Sequence, residues 1–562
     1  MTRLARSLDQ LKPHYDVVVV GSGYGGGVAA SRLARAGKSV AVLERGREVP
    51  TGEFPSRFPE LKADFQVTGK RVRTGSATAL YDVRIGEDMH VVVGCGLGGG
   101  SLVNAGVALR PEPEVFRDAA WPAQIARGSN AGLLDEGFAR ATAWLRPNAH
   151  PRAAEMTKFR TFDKAGRGTG RTAVHTPVAI SFSDTTSAGG VAQTACTLCG
   201  DCCGGCNVGA KNTVALTYLP DAARHGAELF THAAVRHVSR EKDGHWRVAL
   251  RRLDGKTKDA ADGAPLDVTA DIVVLAAGTL GSTEILLRSA EQGLALSERL
   301  GTRFSANGDI IAFGYGAKDR MDAVGVGHPA KVPGMEVGAS VTGQLEIREP
   351  GDFTRSINVQ DGVLPSALAP VLPVLFVPNG RLLGALQSLI NGVYKGPFAH
   401  LQTFFAVSHD SASGRFTLDG DRLALAWPGA KDEPVYARLD AALTGIVKAA
   451  GGDYVKNPLA GTVMGHQPAT AHPLGGCGMG EDRTAGVVDH KCRVFDGGPD
   501  AAGGDAVHDG LYVIDGSVIP RSLGVNPLYT ITALAERALM LMAADHGFAF
   551  DAAPHIDLAA AE

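Results

Sequence analysis

The segment from Asp16 to Glu44 most constrains the fold of this chain. Asp16–Val20 (DVVVV) has the composition of a short buried strand, and it runs directly into the turn GSGYGG, where Gly21, Gly23 and Gly26 form the pattern G-x-G-x-x-G. An amphipathic helix and a second short strand follow, and Glu44 comes 18 residues after Gly26. This order of strand, glycine-rich turn, helix, strand and acid predicts a βαβ unit of a doubly wound sheet.

This unit also predicts a dinucleotide site. Gly21 provides the tight turn, Gly23 lets the backbone approach a pyrophosphate, and Gly26 allows the helix to pack closely on the strand. The helix N-terminus offers unpaired N–H groups and the positive end of its dipole to phosphates. Glu44 can accept hydrogen bonds from both ribose hydroxyls. The alternative is a tight glycine turn without a ligand, and the motif alone does not separate NAD from FAD.

The composition is that of an ordinary globular protein of two to four domains. The chain has 562 residues, of which 44% are hydrophobic and 20% are charged, with a net charge of −3. The absence of a basic block argues against nucleic acid as a partner. The N-terminus lacks the pattern of a secretory signal, which predicts a cytoplasmic location, where disulfides are disfavoured. No run of 18 uninterrupted apolar residues predicts a transmembrane helix.

Two later segments carry further patterns. The first, VGCGLGGGSLVNAG from Val93, has a glycine run that lets the backbone pass close to a flat cofactor, and a nearby amide in Asn104. The second, GLYVIDGSVIPRSLGVNPLYTITALAERA from Gly510, has a strand that ends at Asp515 and a long amphipathic helix that begins near Leu528.

These segments, with VVLAAGTLGSTEILLRS from Val273 and AHPLGGCGMG from Ala471, resemble the glucose–methanol–choline (GMC) family of FAD oxidoreductases. Within that family the chain is most similar to the bacterial cholesterol oxidases of the GMC type. The matching pieces span residues 16 to 543, which is nearly the whole chain.

The resemblance implies a mixed α/β fold with two domains. A doubly wound FAD-binding domain is expected from residues 1–115, 207–310 and 465–562. A substrate domain with a mainly antiparallel sheet and helices is expected from residues 116–206 and 311–464, including the cysteine-rich insert 195–213. In the sequence itself, the region from Gly226 to Gly278 has a strand meander with polar turns at 242–244 and 260–263.

The resemblance also implies FAD as the cofactor. The residues that it assigns to FAD binding are Gly21, Gly23, Tyr24, Gly26, Glu44, Gly99, Gly100, Asn104, Val235, Gly278, Asp515, Gly516, Asn526 and Leu528.

Oxidation of an alcohol requires a group that takes the hydroxyl proton and a group that orients the hydroxyl. The resemblance places these roles on His472 of HPLGGC and Asn526 of GVNPLY. The alternatives are a structural histidine and a helix cap. His466 is the weaker candidate for the base. Cholesterol oxidases also use a Glu that moves a steroid proton, and the matching position here is Gln360, an amide. Asp361, the next residue, is the expected base if it faces the cavity.

The stretch GVLPSALAPVLPVLFVP from Gly362 continues into LLGALQSLINGV. It predicts either core packing or an apolar cavity wall or lid for a lipid-like substrate. We therefore expect a hydrophobic alcohol of sterol, terpenoid or long-chain type as substrate, O2 or an electron carrier as acceptor, and peripheral membrane contact as one further option. The other function classes are a dehydrogenase that passes electrons to a carrier, and a flavoprotein with non-redox chemistry.

Cys196, Cys199, Cys202 and Cys206 have the spacing C-x2-C-x2-C-x3-C, which is typical of iron–sulfur ligands. Three readings stay open: an iron–sulfur cluster, bare thiols or disulfides, and zinc. Asn207 stands where ferredoxins have a proline, and no second run follows. Cys206 must therefore close the site itself, or a remote thiol such as Cys95 or Cys477 does so. A cluster would give a dehydrogenase a route for its electrons.

Overall fold

A nine-stranded, mainly parallel sheet carries the glycine-rich turn. The computed structural model describes residues 3–127, 130, 132–376, 392–456, 465–499 and 504–555. From one edge the strands are Ala5–Arg6, Glu228–Phe230, Val40–Leu43, His14–Val20, Ala264–Leu275, Trp246–Arg252 and Ala233–Arg240, while Val507–Val513 pairs with both Ala264–Leu275 and Arg493–Phe495. The expected meander is confirmed, because Ala233–Arg240, Trp246–Arg252 and Ala264–Leu275 pair antiparallel in sequence order.

Helices cover this sheet, as a parallel sheet that is buried on both faces requires. They are Tyr24–Arg35, Gly132–Leu145, Tyr218–Arg224, Gly278–Glu291 and Leu528–His546. Val17, Val18 and Val19 are completely buried between the layers. The first and last of these helices pack on each other, so that chain segments about 500 residues apart form one layer.

A second sheet of six strands is antiparallel throughout. Its order is Asp453–Val455, Ile310–Tyr315, Gln402–Val407, Ile357–Gly362, Gly343–Ile347 and Val174–His175. The helices Thr157–Arg167 and Pro434–Ala449 pack against it. The expected mixed α/β fold with one doubly wound and one antiparallel sheet is confirmed, whereas the domain boundaries stay a prediction.

A third sheet of five strands holds the segment that precedes the HPLGGC motif. Its order is Ala469–Thr470, His90–Gly94, Tyr81–Ile85, Phe65–Gly69 and Arg73–Thr74. Three two-stranded pairs are Asn148–Ala149 with Pro177–Val178, Thr185–Thr186 with Ala192–Gln193, and Arg415–Asp419 with Arg422–Ala426. The short helices are Phe58–Ala63, Pro113–Arg117, Ala123–Ala126 and Leu372–Leu375.

The apolar stretch after Gly362 is described only as far as Phe376, and residues 377–391 lie outside the described ranges. Leu372 and Phe376 are buried in an apolar cluster with Phe313 and Phe398. The described part therefore packs partly as core, whereas Val374 is 60% exposed. Within the described ranges, every helix falls short of the length and apolar character that a membrane crossing requires.

Candidate active site

The glycine-rich turn lies at the carboxyl end of the strand His14–Val20. Gly21 has a φ of 93°, and a Cβ at this position would come within 2.4 Å of the Ala276 carbonyl oxygen. A Cβ on Gly26 would lie 2.1 Å from the Gly21 carbonyl oxygen, whereas one on Gly23 would meet no atom within 4 Å. Gly21 and Gly26 thus allow backbone to pack on backbone, and Gly23 borders open space that a ligand can fill.

Glu44 lies directly after the second strand and is buried, with 6% of its surface exposed. Its Oε2 accepts hydrogen bonds from the Ser22 amide (3.2 Å) and the Ser22 hydroxyl (2.6 Å), and its Oε1 accepts from the Gly46 amide (2.8 Å). Burial raises the pKa of Glu44, and the hydrogen bonds from Ser22 and Gly46 oppose that rise. The carboxylate therefore joins the glycine-rich turn to the end of the second strand.

The loop from Val93 to Asn104 packs over the same turn. The Gly98 amide donates to the Ser22 hydroxyl over 2.9 Å, and a Cβ on Gly99 would lie 2.7 Å from the Gly23 Cα. Asn104 Nδ2 donates to the Tyr24 hydroxyl over 2.8 Å. The two glycine-rich segments that the sequence singled out thus form one backbone surface, which we call the glycine cradle (residues 21–26 and 96–104).

Asp515 ties the C-terminal segment to this region. Its Oδ2 accepts from the Gly278 amide over 2.8 Å, and its Oδ1 accepts from the Ser517 amide over 2.8 Å. Burial raises the pKa of Asp515, and a hydrogen bond from Ser282 opposes that rise. The carboxylate is saturated by the chain itself, so that it places Gly278 and Gly516 next to each other.

The remaining residues assigned to FAD lie on two elements. Val235 is half-buried at a bulge in the strand Ala233–Arg240. Leu528 is buried and begins the helix Leu528–His546, directly after Asn526 and Pro527.

His472 and Asn526 lie together although 54 residues separate them. Asn526 Nδ2 is 3.3 Å from His472 Nε2. Gln360 Nε2 donates to Asn526 Oδ1 over 2.6 Å and to Asn358 Oδ1 over 2.8 Å. Because Asn526 Oδ1 accepts from Gln360, its Nδ2 faces the histidine as a donor. His472 Nε2 is therefore the acceptor in this contact.

Two residues outside the sequence predictions support this pair. Asp309 Oδ2 lies 3.3 Å from His472 Nδ1, off the line of a hydrogen bond, and accepts from the Ala471 amide over 2.8 Å. Asn307 Oδ1 accepts from the Leu523 amide over 2.8 Å, and Asn307 Nδ2 donates to the Val525 carbonyl over 2.8 Å. Asn307 thus fixes the loop that leads to Asn526, and Asp309 fixes the segment that leads to His472.

Asp361 does not join this network. Successive side chains of a strand point to opposite faces, so that Gln360 faces Asn526 and Asp361 faces the other side. Asp361 is completely buried, forms an ion pair with Lys158 over 3.2 Å, and accepts from the amides of Thr342 and Gly343. This placement argues against the expected role of Asp361 as a base.

All eight cysteines are free thiols, so that the structure contains no disulfide among them. Cys95 lies beside Arg45 and Ala77, and Cys477 lies beside Thr283. Neither of these two thiols therefore lies next to the cysteine run from Cys196 to Cys206. The run lies between the glycine cradle and the antiparallel sheet, because Lys211 Nζ donates to the Asn104 carbonyl and Ser340 N donates to Cys202 Sγ.

Asn307, Asp309 and Lys211 are the residues that the sequence predictions missed. Asn307 and Asp309 belong to the polar run SANGD ahead of a strand, which is the one local sign of their role. The side-chain partners of Asn307 and Asp309 are more than 150 residues away along the chain. No sequence spacing therefore indicates these contacts.

Comparison with known proteins places the chain among flavoenzymes. It is 28% identical to a cholesterol oxidase of Mycobacterium tuberculosis over 94% of this chain and 91% of the relative. It is 26% identical to a cholesterol oxidase of Acinetobacter baumannii over 95% of each chain. A long-chain-alcohol oxidase of Arabidopsis thaliana is 23% identical over 94% of this chain and 67% of the relative.

Solved structures agree with the fold. Pyridoxine 4-oxidase matches with a TM-score of 0.57 and 18% identity over 94% of this chain and 98% of that chain. Formate oxidase of Aspergillus oryzae, in a variant, matches with a TM-score of 0.61 and 14% identity over 95% of this chain and 99% of that chain.

Two family models match the chain itself. The N-terminal model of GMC oxidoreductases covers residues 16–305, and the C-terminal model covers residues 440–535. The first alone covers more than half of the chain and contains the glycine cradle, and the second contains His472 and Asn526. GMC oxidoreductases are FAD-binding enzymes. The chain belongs to the GMC oxidoreductase family.

Proposed function

We propose that this enzyme oxidises the CH–OH group of a hydrophobic alcohol to a ketone or aldehyde with FAD. The observation that carries the proposal is the pairing of His472 Nε2 with Asn526 Nδ2 at 3.3 Å. One atom is a proton acceptor and the other is a hydrogen-bond donor, and the two face each other. A hydroxyl group placed there can donate to the histidine and accept from the amide.

The chain fits FAD. Gly23, Gly100 and Gly278 each border space in which a Cβ would meet no atom within 4 Å, as a cradle for a flat ligand requires. Gly23 and Gly100 belong to the glycine cradle, and Gly278 begins the helix Gly278–Glu291. When bound, FAD supplies the acceptor for the hydride that leaves the alcohol carbon. The chain must hold the alcohol and remove its hydroxyl proton.

His472 is the proposed base. Its Nε2 carries the lone pair that Asn526 Nδ2 faces, so that a substrate hydroxyl that replaces this contact can donate to the histidine, and the His472 side chain is 19% exposed. It can therefore take the hydroxyl proton. As the proton leaves, the alcohol oxygen becomes more negative, and the Asn526 amide stabilises it by donating a hydrogen bond.

Two observations support a hydrophobic alcohol as the substrate class. The relatives include cholesterol oxidases and long-chain-alcohol oxidases. An apolar cluster with Phe313, Phe376 and Phe398 belongs to the antiparallel-sheet part of the molecule. Gln360 cannot act as a base, because an amide does not take up a proton near neutral pH. We therefore propose oxidation without isomerisation of a steroid double bond.

The test is reduction of the flavin under nitrogen by single alcohols. We expect cholesterol or a long-chain primary alcohol to bleach the visible flavin bands, and glucose to leave them unchanged. His472→Ala and Asn526→Ala should slow bleaching by about 10²- to 10⁴-fold, and His466→Ala serves as the matched control. Bleaching by no alcohol would favour non-redox chemistry and overturn the proposal, whereas bleaching by His472→Ala at the wild-type rate would overturn the role of His472 as the base.

The acceptor of the electrons has two candidates. Peroxide formation under air, in step with alcohol oxidation, would identify an oxidase, as the names of the relatives suggest. A dehydrogenase would instead react with a one-electron carrier through an iron–sulfur cluster. The observation that favours this second candidate is the position of the cysteine run next to the glycine cradle.

A further inference from the structure

Four cysteines that the proposed chemistry does not use converge in space. We call Cys196, Cys199, Cys202 and Cys206 the cysteine tetrad. Cys196, Cys202 and Cys206 pack in one apolar cluster with Ala339 and Val341, and Cys199 pairs with the neighbouring Gly338. Four thiols packed against one segment are a ligand set for a metal centre.

The spacing of the tetrad is too wide for a single zinc ion. Four thiolates at about 2.3 Å from one zinc lie roughly 3.8 Å from one another. In the described part of the chain, the groups of three or more ligand atoms within 4.8 Å of one another are His14–His245–Asp271 and Asp221–His225–His555. No cysteine belongs to either group. An iron–sulfur cube is larger than one ion and holds its four ligands farther apart.

Lys211 is a buried cation beside the tetrad, with 2% of its surface exposed. Its Nζ donates to the carbonyl oxygens of Leu102 (2.9 Å), Asn104 (2.9 Å) and Cys202 (2.8 Å). Among the described residues no carboxylate forms a salt bridge with it, and the Cys202 carbonyl is its contact on the cysteine side. A buried charge without an opposite charge is costly, and a negative group held by the cysteines would offset that cost.

The loop of the tetrad turns sharply between Cys196 and Cys202, because Leu198 has a φ of 57° and Gly200 has a φ of 80°. The Val326 amide donates to the Cys199 carbonyl over 2.8 Å, and the Ser340 amide donates to Cys202 Sγ over 3.4 Å. An N–H group that points at a ligand sulfur stabilises a negatively charged cluster.

The fifth cysteine of the run is distinct from the tetrad. Cys203 interacts with Cys202 alone among the four, and it stands outside the C-x2-C-x2-C-x3-C spacing. Its carbonyl accepts from the Tyr81 hydroxyl, which anchors the loop. Cys203 is therefore a matched control for the tetrad.

We propose that the cysteine tetrad holds a four-iron, four-sulfur cluster, and that Lys211 is the cation that balances its charge and links it to the glycine cradle. The position also suits electron transfer, because one cleft is lined by Cys206 and Lys211 together with Leu97 and Leu102 of the cradle.

The relay rests on the proposed function. Each alcohol gives up two electrons and one proton as a hydride, and its hydroxyl proton goes to His472. When bound by the tetrad, such a cluster would supply a one-electron route by which these two electrons leave the reduced flavin for a one-electron carrier. Two carrier molecules are reduced per alcohol, and two protons go to solvent.

The first test measures metal in the holoenzyme purified under nitrogen. We expect about four irons and four acid-labile sulfides per chain, and a paramagnetic signal after reduction with dithionite. Cys199→Ser should lose most of the iron, and Cys203→Ser should keep it. Both variants should keep FAD and the bleaching of flavin by alcohol, which shows that they fold.

The outcomes separate the cluster from the proposed function. Absence of iron from the wild-type chain, or one zinc without sulfide, would overturn the cluster even if alcohol bleaches the flavin. Iron and sulfide in a protein that no alcohol reduces would overturn the proposed function alone. Equal iron loss in Cys203→Ser and Cys199→Ser would show that the tetrad is not the ligand set.

The second test concerns Lys211. Removal of a positive charge disfavours the added electron, so that Lys211→Met should keep its iron and have a more negative cluster reduction potential than the wild type. Lys211→Arg should stay close to the wild type. A potentiometric titration followed by the paramagnetic signal measures this shift. An unchanged potential in iron-replete Lys211→Met would contradict the charge-balancing role.

Discussion

At the scale of single residues, the candidate site depends on the direction of hydrogen bonds. Gln360 donates to Asn526 Oδ1, and this leaves the Asn526 NH2 group to face His472. An asparagine alone can present either end of its amide. Gln360 decides which end it presents, and Gln360 Oε1 itself has no partner among the described residues. The polar residue at the position of the steroid-isomerising acid therefore has a positioning role in this chain.

We expect Gln360→Glu and Gln360→Leu to lower the rate of flavin reduction by alcohol about tenfold. Both remove the donor to Asn526 Oδ1, and Glu keeps the size of the side chain. The loss of one buried hydrogen bond of this kind corresponds to about 1–3 kcal/mol. Stopped-flow absorbance under nitrogen measures the rate.

Gln344→Leu is the control for this prediction. Gln344 lies opposite Gln360 in the neighbouring strand and contacts Asn358 rather than Asn526. In the Gln344→Leu variant, alcohol should reduce the flavin at close to the wild-type rate. If Gln360→Glu is as fast as the wild type, the direction of the Asn526 amide does not depend on Gln360.

At the scale of elements, a buried ion pair joins the first and last helices of the FAD-type sheet. Arg32 of the helix Tyr24–Arg35 donates to both carboxylate oxygens of Glu536 in the helix Leu528–His546. Both side chains are 0% exposed, and the guanidinium also lies 4.4 Å from the ring centre of Trp144. The pair connects the helix that follows Gly21 with the helix that follows Asn526. It therefore joins the glycine cradle to the segment that carries Asn526.

Arg32→Met should lower the free energy of unfolding by about 3–5 kcal/mol, because it leaves the Glu536 carboxylate buried without an opposite charge, with the Tyr218 hydroxyl as its remaining donor. The double variant Arg32→Met/Glu536→Leu should recover most of this loss, since it removes both charges together. Thermal or urea denaturation of the holoenzyme measures the difference. A double variant no more stable than Arg32→Met would show that packing, rather than the unpaired charge, causes the loss.

At the scale of the whole molecule, distant parts of the chain assemble the site. The cradle comes from residues 21–26 and 96–104, Gly278 from the middle of the chain, and His472 and Asn526 from its last fifth. Asp515 holds the middle and last parts together through Gly278 and Ser517. A ligand that spans these parts must stabilise the native state, because the unfolded chain cannot bind it.

Removal of FAD should therefore lower the melting temperature, and added FAD should restore it in a concentration-dependent way. At 100 times the dissociation constant the gain is about 2.7 kcal/mol. Differential scanning fluorimetry on the deflavinated protein, with FAD titrated from below to above saturation, measures this gain. NADPH at equal concentration is the control, and a melting temperature that does not depend on FAD would contradict an FAD site in the cradle.

The sequence was sufficient for the βαβ unit and the meander, because each depends on local periodicity and on glycines whose neighbours lie within a few residues, and the family resemblance implied the mixed fold. Gly21 needs its left-handed conformation for the turn that it makes with adjacent residues. The spacing of the cysteine tetrad is likewise local, and the resemblance of HPLGGC and GVNPLY to family motifs singled out His472 and Asn526.

Only the tertiary structure decided which polar groups meet. It showed Asp361 paired with Lys158 on the face of the strand away from Gln360, although the two are adjacent in sequence. It placed Asp309 beside His472, and Lys211 between the cradle and the tetrad. The physical reason is that the free energy of a buried charge depends on partners that the folded sheets bring together. A pattern along the chain records the period of a strand, but it does not record which side chains face each other across two sheets.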